Sequence, residues 1–264
     1  MKEQVLSLLP KDFPWRDRLR FFDTVDSTNT MAKQLALEGA SEGTVLIADA
    51  QTGGRGRMGR SFHSPSGAGI YLSAILRPGC PAQELMHLTC AAGVAMCDAI
   101  EASTQLRPGI KWTNDIVYGG KKLGGILTEL VLLPKADPCA VVGIGINCCQ
   151  RPGDFPEALR AMVTSLSTVT GCQIDRAAVT AAMLSALARM REGLFDKKAL
   201  CMAQYRKDCI TLGQEISLVR GDSLTHGVAV DMDDDGGLIV ELPNGQRQTV
   251  TSGEVSIRGM YGYI

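Results

Sequence analysis

One stretch, Gly53-Gly54-Arg55-Gly56-Arg57-Met58-Gly59-Arg60, constrains this chain more than any other. Two runs rich in β-branched and aliphatic residues flank it, TVLIAD at 44–49 and GIYLSAIL at 69–76, and both read as strands. Four glycines allow positive φ and close approach of backbone N–H groups. Three arginines add fork-shaped donors suited to phosphate or carboxylate. Embedded between strands, the segment reads as an anion cradle. The competing reading, a flexible Gly/Arg segment that binds nucleic acid weakly, needs repeats and disorder. A Walker loop is excluded because no GK[ST] follows at the required spacing, and a dinucleotide fold because a strand, not a helix, comes next.

The remaining pattern sets the fold class. After a short lead-in at 1–22, Ser27 reads as the N-cap of a helix through TMAKQLALEG that Gly39 ends. Apolar positions recur at helical spacing from Ala82 to Ala102 and again over 175–193, where Asp175 is the expected cap. IKWTNDIVY, LGGILTEL and CAVVGIGINC read as strands of one sheet. Beyond Asp208 the runs become short and alternating, broken by Gly and Asp, which suggests a small β-barrel beginning near residue 211. The expectation is an α+β fold with a mixed, mostly antiparallel sheet, helices on one side of it, and a small C-terminal β domain. The division falls at 1–210 and 211–264.

Composition narrows the function. At 264 residues, with 45% hydrophobic and 21% charged residues, the chain reads as an ordinary soluble globular protein. Its net charge of −1 argues against a dedicated polyanion binder. Residues 212–264 carry three basic and eight acidic residues, so the rest is net positive and suited to an anion. Nine cysteines without a CxxC pair, several in apolar contexts such as Cys90, Cys97 and Cys139, read as free core thiols of a reducing compartment, and the chain reads as cytoplasmic. His63, His87 and His226 are too scattered for zinc. No membrane-spanning stretch or signal peptide is expected.

Two further segments carry chemistry. Lys111-Trp112-Thr113-Asn114-Asp115 precedes Lys121-Lys122-Leu123-Gly124-Gly125. A lysine entering an apolar strand there would hold a carboxylate or a developing phosphoryl charge, and Asp115 a magnesium ion; a hairpin with solvated lysines is the other reading. In Val142-Gly143-Ile144-Gly145-Ile146-Asn147, small residues alternate with isoleucines. One strand face is left nearly bare, open to a ligand or another backbone.

Taken together, DSTN, AQTGG, GRGRMGRSF, KWTNDI, KKLGGIL, GIGIN and the terminal GEVSIRG occur in the order and at the spacing of biotin–protein ligases, and the chain resembles that family over roughly residues 20–260. The resemblance implies a class II synthetase-like catalytic domain with an SH3-like barrel. It implies a two-step reaction: biotin and ATP give biotinyl-5′-AMP, and biotin then passes to a lysine of a biotin carboxyl carrier domain. Carried over by motif, Ser27, Thr28, Asn29 and Gln51 would contact biotin, together with Arg55, Gly56, Arg57 and Lys122. Gly54, Arg55, Gly56, Arg57, Met58, Phe62 and Asn147 would hold the nucleotide. Lys122, Arg55 and Asp115 would be catalytic, with Asp115 the candidate Mg²⁺ ligand.

The chain departs from the family at Phe62, where tryptophan is common, and at Thr113, where proline is common. With about 22 residues ahead of the matching region, no DNA-binding domain is expected; nor is a membrane partner, and the protein is expected as a monomer or homodimer. Lipoate–protein ligase and a non-enzymatic biotin-responsive binding protein are the rival readings.

Overall fold

The computed structural model describes residues 1–134, 136–220, 223–251 and 254–257. In chain order the elements are α1 (Lys2–Leu8), β1 (Leu19–Val25), α2 (Thr28–Leu37), β2 (Val45–Gln51), β3 (Gly69–Leu76), α3 (Leu88–Thr104), β4 (Gly109–Lys111), β5 (Asp115–Tyr118), β6 (Lys121–Leu133), β7 (Ala136–Asn147), α4 (Leu166–Thr170), α5 (Arg176–Glu192), α6 (Lys198–Asp208), β8 (Glu215–Arg220), β9 (Ser223–Met232), β10 (Leu238–Glu241), β11 (Arg247–Val250) and β12 (Glu254–Ile257).

The first seven strands form one sheet in the order β1-β2-β3-β7-β6-β5-β4. Only β1 and β2 run parallel; the other pairs are antiparallel. A second, antiparallel sheet has the order β11-β10-β9-β8-β12. The fold is therefore α+β, with a mixed, mostly antiparallel sheet and a small C-terminal antiparallel sheet. The helices, however, lie on both faces rather than one. Val45, Ile47, Leu72, Ala74, Val142 and Ile144 point into the main core beneath α3, α5 and α6, while Leu46, Ile75 and Val141 pack against Ala32 and Ala36 of α2. β2, β3 and β7 are buried on both faces, which is why they read as continuous apolar runs rather than alternating ones.

Local signals set several element ends. Ser27 accepts a hydrogen bond from the Thr30 amide, a cap worth about 1 kcal/mol. The Asp175 carboxylate accepts from the amides of Ala177 and Ala178 at the start of α5. The lead-in also holds structure that its residues do not advertise. β1 adds a seventh strand at the sheet edge, and Val5, Leu9, Phe13 and Trp15 are buried in the main core. Residues 82–104 are apolar and long enough to cross a membrane by length and composition, contrary to the expectation of no such stretch, but most of the segment is buried inside the fold as α3.

IKWTNDIVY is two strands, not one. Trp112, Thr113 and Asn114 form the turn between β4 and β5, and the Trp112–Thr113 peptide is cis. The two sheets share one core. Ile216, Leu218, Ala229, Met232, Leu238, Val240, Val250 and Val255 are buried in the same cluster as α3 and α5. The Trp112 indole donates to the Gly236 carbonyl at 2.8 Å, and its backbone amide donates to Thr211 Oγ1 at 2.9 Å. Outside this contact, Lys198 and Arg206 of α6 pair with Asp235 and Asp234. The acidic excess of the C-terminal segment is thus partly spent on docking. Of the GEVSIRG motif, Glu254–Ile257 form β12, and Gly253 and residues 258–259 lie outside the described residues.

Candidate active site

The Gly/Arg loop covers the open ends of β6 and β7. Its glycines serve a purpose different from the one their number suggests. Positive φ falls on Met58 (56°) and Gly59 (74°), at the loop tip. Gly53 and Gly54 are required for closeness: a Cβ would lie 2.2 Å from Asp26 Oδ1 at the first and 2.4 Å from the Phe62 carbonyl at the second. The loop closes on itself through Phe62 N–H to the Gly54 carbonyl (2.8 Å) and Gly56 N–H to the Arg60 carbonyl (2.7 Å).

Beneath the loop are two adjoining spaces. The smaller, about 50 Å³, is lined by Ser27, Thr28, Asn29, Gln51, Arg55, Gly56, Arg57, Phe62, Asn114, Lys122 and the strand segments 125–127 and 143–145. The larger, about 380 Å³, is lined by Gly56, Arg57, Met58, Phe62, His63, Lys111, Trp112, Asn114, Asp115, Lys122, Asn147 and the apolar side chains Phe155, Leu159, Met162, Val163 and Val255. Gly56, Arg57, Phe62, Asn114 and Lys122 border both. The larger space has the size of a ligand pocket, for which about 300 Å³ is a lower bound. The smaller does not; Arg55, Gly56 and Arg57 of the loop form part of its lining.

The smaller space is built from α2 and β2. Gln51, at the end of β2, accepts from the Thr28 amide (2.9 Å) and hydroxyl (3.1 Å), and donates to Ser64 Oγ (2.9 Å). Asn29 spends both amide hydrogens, on the Leu127 carbonyl (3.1 Å) and on Glu129 Oε2 (3.0 Å), and accepts from Ser73 Oγ at 2.6 Å. Asn29 thus shapes the wall with no amide hydrogen to spare. The bare face of β7 is filled by these side chains: a Cβ on Gly143 would lie 1.9 Å from Asn29 Oδ1, and one on Gly145 2.5 Å from the Phe62 ring. The glycines therefore make room for protein side chains at the rim of the pocket.

On the side shared by both spaces, Lys122 Nζ donates to Asp115 Oδ1 at 2.7 Å. The side chain folds back over Gly125, where a Cβ would stand 3.3 Å from Lys122 Cε. The backbone of Lys122 is clamped by the Met162 carbonyl and the Thr164 amide, both at 2.8 Å. Arg57 Nη1 donates to Asn114 Oδ1 at 3.0 Å, and Asn114 Nδ2 donates to the Ile126 carbonyl at 3.0 Å. Arg55 turns the other way, to Glu129 Oε1 at 3.4 Å. Burial would raise the Glu129 pKa, but hydrogen bonds from Lys33 and Asn29 and the Arg55 charge hold it below the usual range. Asn147 lines the larger space while its amide donates to the Thr164 carbonyl at 3.0 Å.

The fold thus brings every sequence-derived site residue to one region; Gly54 lines neither space and packs behind the loop against Phe62. Sequence reasoning missed Ser73, Glu129 and the lining side chains Phe155, Leu159, Met162, Val163 and Val255. Most of the last group sit in an irregular connection with no periodicity. Asp115 is the one carboxylate lining either space, and no cluster of three metal-ligating side chains occurs among the described residues.

Residues 21–147 match the biotin/lipoate A/B protein ligase family, and residues 211–258 match the biotin protein ligase C-terminal domain. The chain is 38% identical over 232 residues to the bifunctional ligase/repressor BirA of Bacillus subtilis, covering 86% of this chain and 70% of that one. It is 33% identical over 248 residues to the biotin–[acetyl-CoA-carboxylase] ligase of Mycobacterium tuberculosis, covering 91% and 89%. The biotin protein ligase of Aquifex aeolicus, solved in complex with biotin and ATP, superimposes with a TM-score of 0.77 at 33% identity, covering 91% of this chain and 98% of that one. The chain belongs to the biotin protein ligase family.

Proposed function

We propose that the protein activates biotin with ATP and transfers it to a lysine of a biotin carboxyl carrier domain. The observation that carries this reading is the shared border of the two spaces. A carboxylate held on the Ser27–Gln51 side and an α-phosphate held on the Asn147 side would meet at Lys122 and Arg57. In the first step a biotin carboxylate oxygen attacks the α-phosphorus and pyrophosphate leaves. In the second the acceptor amine attacks the acyl carbon, AMP leaves and the amine loses a proton.

Both anions must approach each other, so the Lys122 ammonium and the Arg57 guanidinium act as preplaced positive charge where negative charge gathers, while Arg55, paired with Glu129, lines the biotin side. Lys122 is tethered by Asp115 and shifts to the phosphate as charge builds. Ser27, Thr28 and Gln51 supply the donors and acceptors that the ureido head of biotin would otherwise leave unpaired. Gly54, Gly56 and Met58 carry the loop backbone over the adenylate, and Phe62 lies between the two ligands as an aromatic cover.

Magnesium accompanies ATP. Asp115 Oδ2 is the carboxylate oxygen not engaged by Lys122, so the ion would be held by that oxygen and by phosphate, which suits a cation that seldom uses an all-protein cage. We place the catalytic unit at 1–210 and the C-terminal unit at 211–264, and the free thiols fit a cytoplasmic setting. The test is transfer of labelled biotin to a carrier domain with ATP, with lipoate in a parallel arm. Labelling with lipoate instead of biotin moves the assignment to lipoate–protein ligase, and biotin binding without pyrophosphate release moves it to a binding protein.

A further inference from the structure

Glu129 lies outside every motif, yet it gathers three groups from two separate parts of the site. Its register partner on β7 is Val141, and its side chain shares with Leu127 the sheet face that α2 covers. Oε1 is 2.7 Å from Lys33 Nζ and 3.4 Å from Arg55 Nη1; Oε2 accepts from Asn29 Nδ2 at 3.0 Å. Asn29 and Lys33 are four residues apart on α2, so one helix face presents both to the same carboxylate. Arg55 comes from the loop. The Glu129 side chain is only one-fifth exposed, so its charge is less screened than that of a surface pair.

We infer that Glu129 is a positioning residue that ties the Gly/Arg loop to the first turn of α2, so that the wall of the smaller space and its cover move as one unit. The inference rests on the reading that this space takes biotin. It follows from geometry: Arg55, the most exposed of the three partners at 44% for its side chain, pairs with the same carboxylate oxygen that pairs with Lys33, 29% exposed, and among the described residues Glu129 is its ion-pair partner. It also follows from space: Arg55, Gly56 and Arg57 line the smaller cavity, so whatever holds Arg55 near Glu129 controls how readily the loop uncovers it. Once biotin is in place, the same tie resists its escape.

Amide hydrogen exchange of the unliganded protein tests the tie without any ligand. Glu129→Gln and Arg55→Ala should each speed exchange at Gly56 and Phe62 about tenfold, and the double variant should exchange no faster than either single one. Wild-type rates in Glu129→Gln, or additive acceleration in the double variant, would overturn the inference. Thermal melting of the same samples separates a local effect from general loss of fold: protection within α3 stays at the wild-type level if the role is positioning. In a second arm, biotin should dissociate from Glu129→Gln about tenfold faster while the KM for ATP holds; an unchanged dissociation rate also overturns it. Should wild type bind no biotin while the exchange result holds, the assignment of biotin fails and the tie stands.

Discussion

Lys122 Nζ and Asp115 Oδ1 stand 2.7 Å apart across the missing side chain of Gly125, at the border shared by the two cavities. In the register of β5 and β6, Lys122 stands opposite Val117 and Gly125 opposite Asp115, so the lysine side chain reaches along the strand over the bare Gly125 to the carboxylate. An ammonium held there is neutralised while the site is empty and available when phosphate arrives.

Lys122→Ala should therefore slow adenylate formation by about 10²–10³-fold, the usual loss on removing one group that stabilises developing charge. Biotin-dependent pyrophosphate release at saturating substrate measures it. A variant releasing pyrophosphate at the wild-type rate would place Lys122 outside the reaction.

Gly143→Ala should damage the biotin side alone. The new Cβ would lie 1.9 Å from Asn29 Oδ1, so Asn29 must give up its bonds to Ser73 and Glu129. Overpacking of this kind costs about 1–3 kcal/mol. The KM for biotin should rise tenfold or more, with the KM for ATP little changed; equal effects on both would show that the two spaces are not separate.

Trp112→Phe should weaken the join between the two sheets. It removes the indole donor from the buried Gly236 carbonyl, which costs about 1–3 kcal/mol when the acceptor is left without a partner. Trp112 also lines the larger space, so the KM for ATP should rise along with the loss in urea midpoint. An unchanged midpoint would mean that water or another donor replaces the indole.

His87 predicts a pH effect. Burial pushes its pKa below 6.5, Nε2 lies 2.9 Å from the Leu194 carbonyl, and Nδ1 is buried without a partner. With Nε2 as the donor, a second proton would go to the buried Nδ1, and the cost of burying that charge outweighs the help from the nearby backbone of Glu84. The unfolded chain takes up that proton near pH 6.5 and the folded one resists it, so stability is fully present above this pH and declines as pH falls toward the folded value. The slope is at most about 1.4 kcal/mol per pH unit. The advantage of wild type over His87→Gln in thermal melting should shrink as the pH falls from about 7.5 to about 5.5; a constant difference contradicts the assignment.

Much of the site could be read from the chain because its chemistry is local. Ser27, Gln51, the arginine loop, Lys122 and Asn147 stand at strand or helix ends, where turn residues and glycines mark them. The fold class was legible for the same reason, from runs such as 69–76. What escaped depends on distant packing. β1 and α1 are short and only partly apolar, so no period identifies them. α6 buries only Met202, Tyr205 and Asp208, so its pattern reads as polar chain. The split of 109–118 into two strands follows from the turn at 112–114, which β-rich composition conceals. Glu129 is one acid in an apolar strand, and only the position of α2 gives it partners. The shared core of the two sheets likewise has no trace in either segment read alone.

The most direct test of the central claim is adenylate formation at the shared border. Purified protein with biotin, ATP and magnesium should release pyrophosphate and retain biotinyl-5′-AMP. Adding a carrier domain should then discharge the adenylate as AMP and leave one biotin on the carrier lysine. Arg57→Ala, which loses the link from the loop to Asn114, should form the adenylate and release it into solution. No pyrophosphate from wild type, or an Arg57→Ala variant that retains the adenylate as firmly as wild type, would contradict the account.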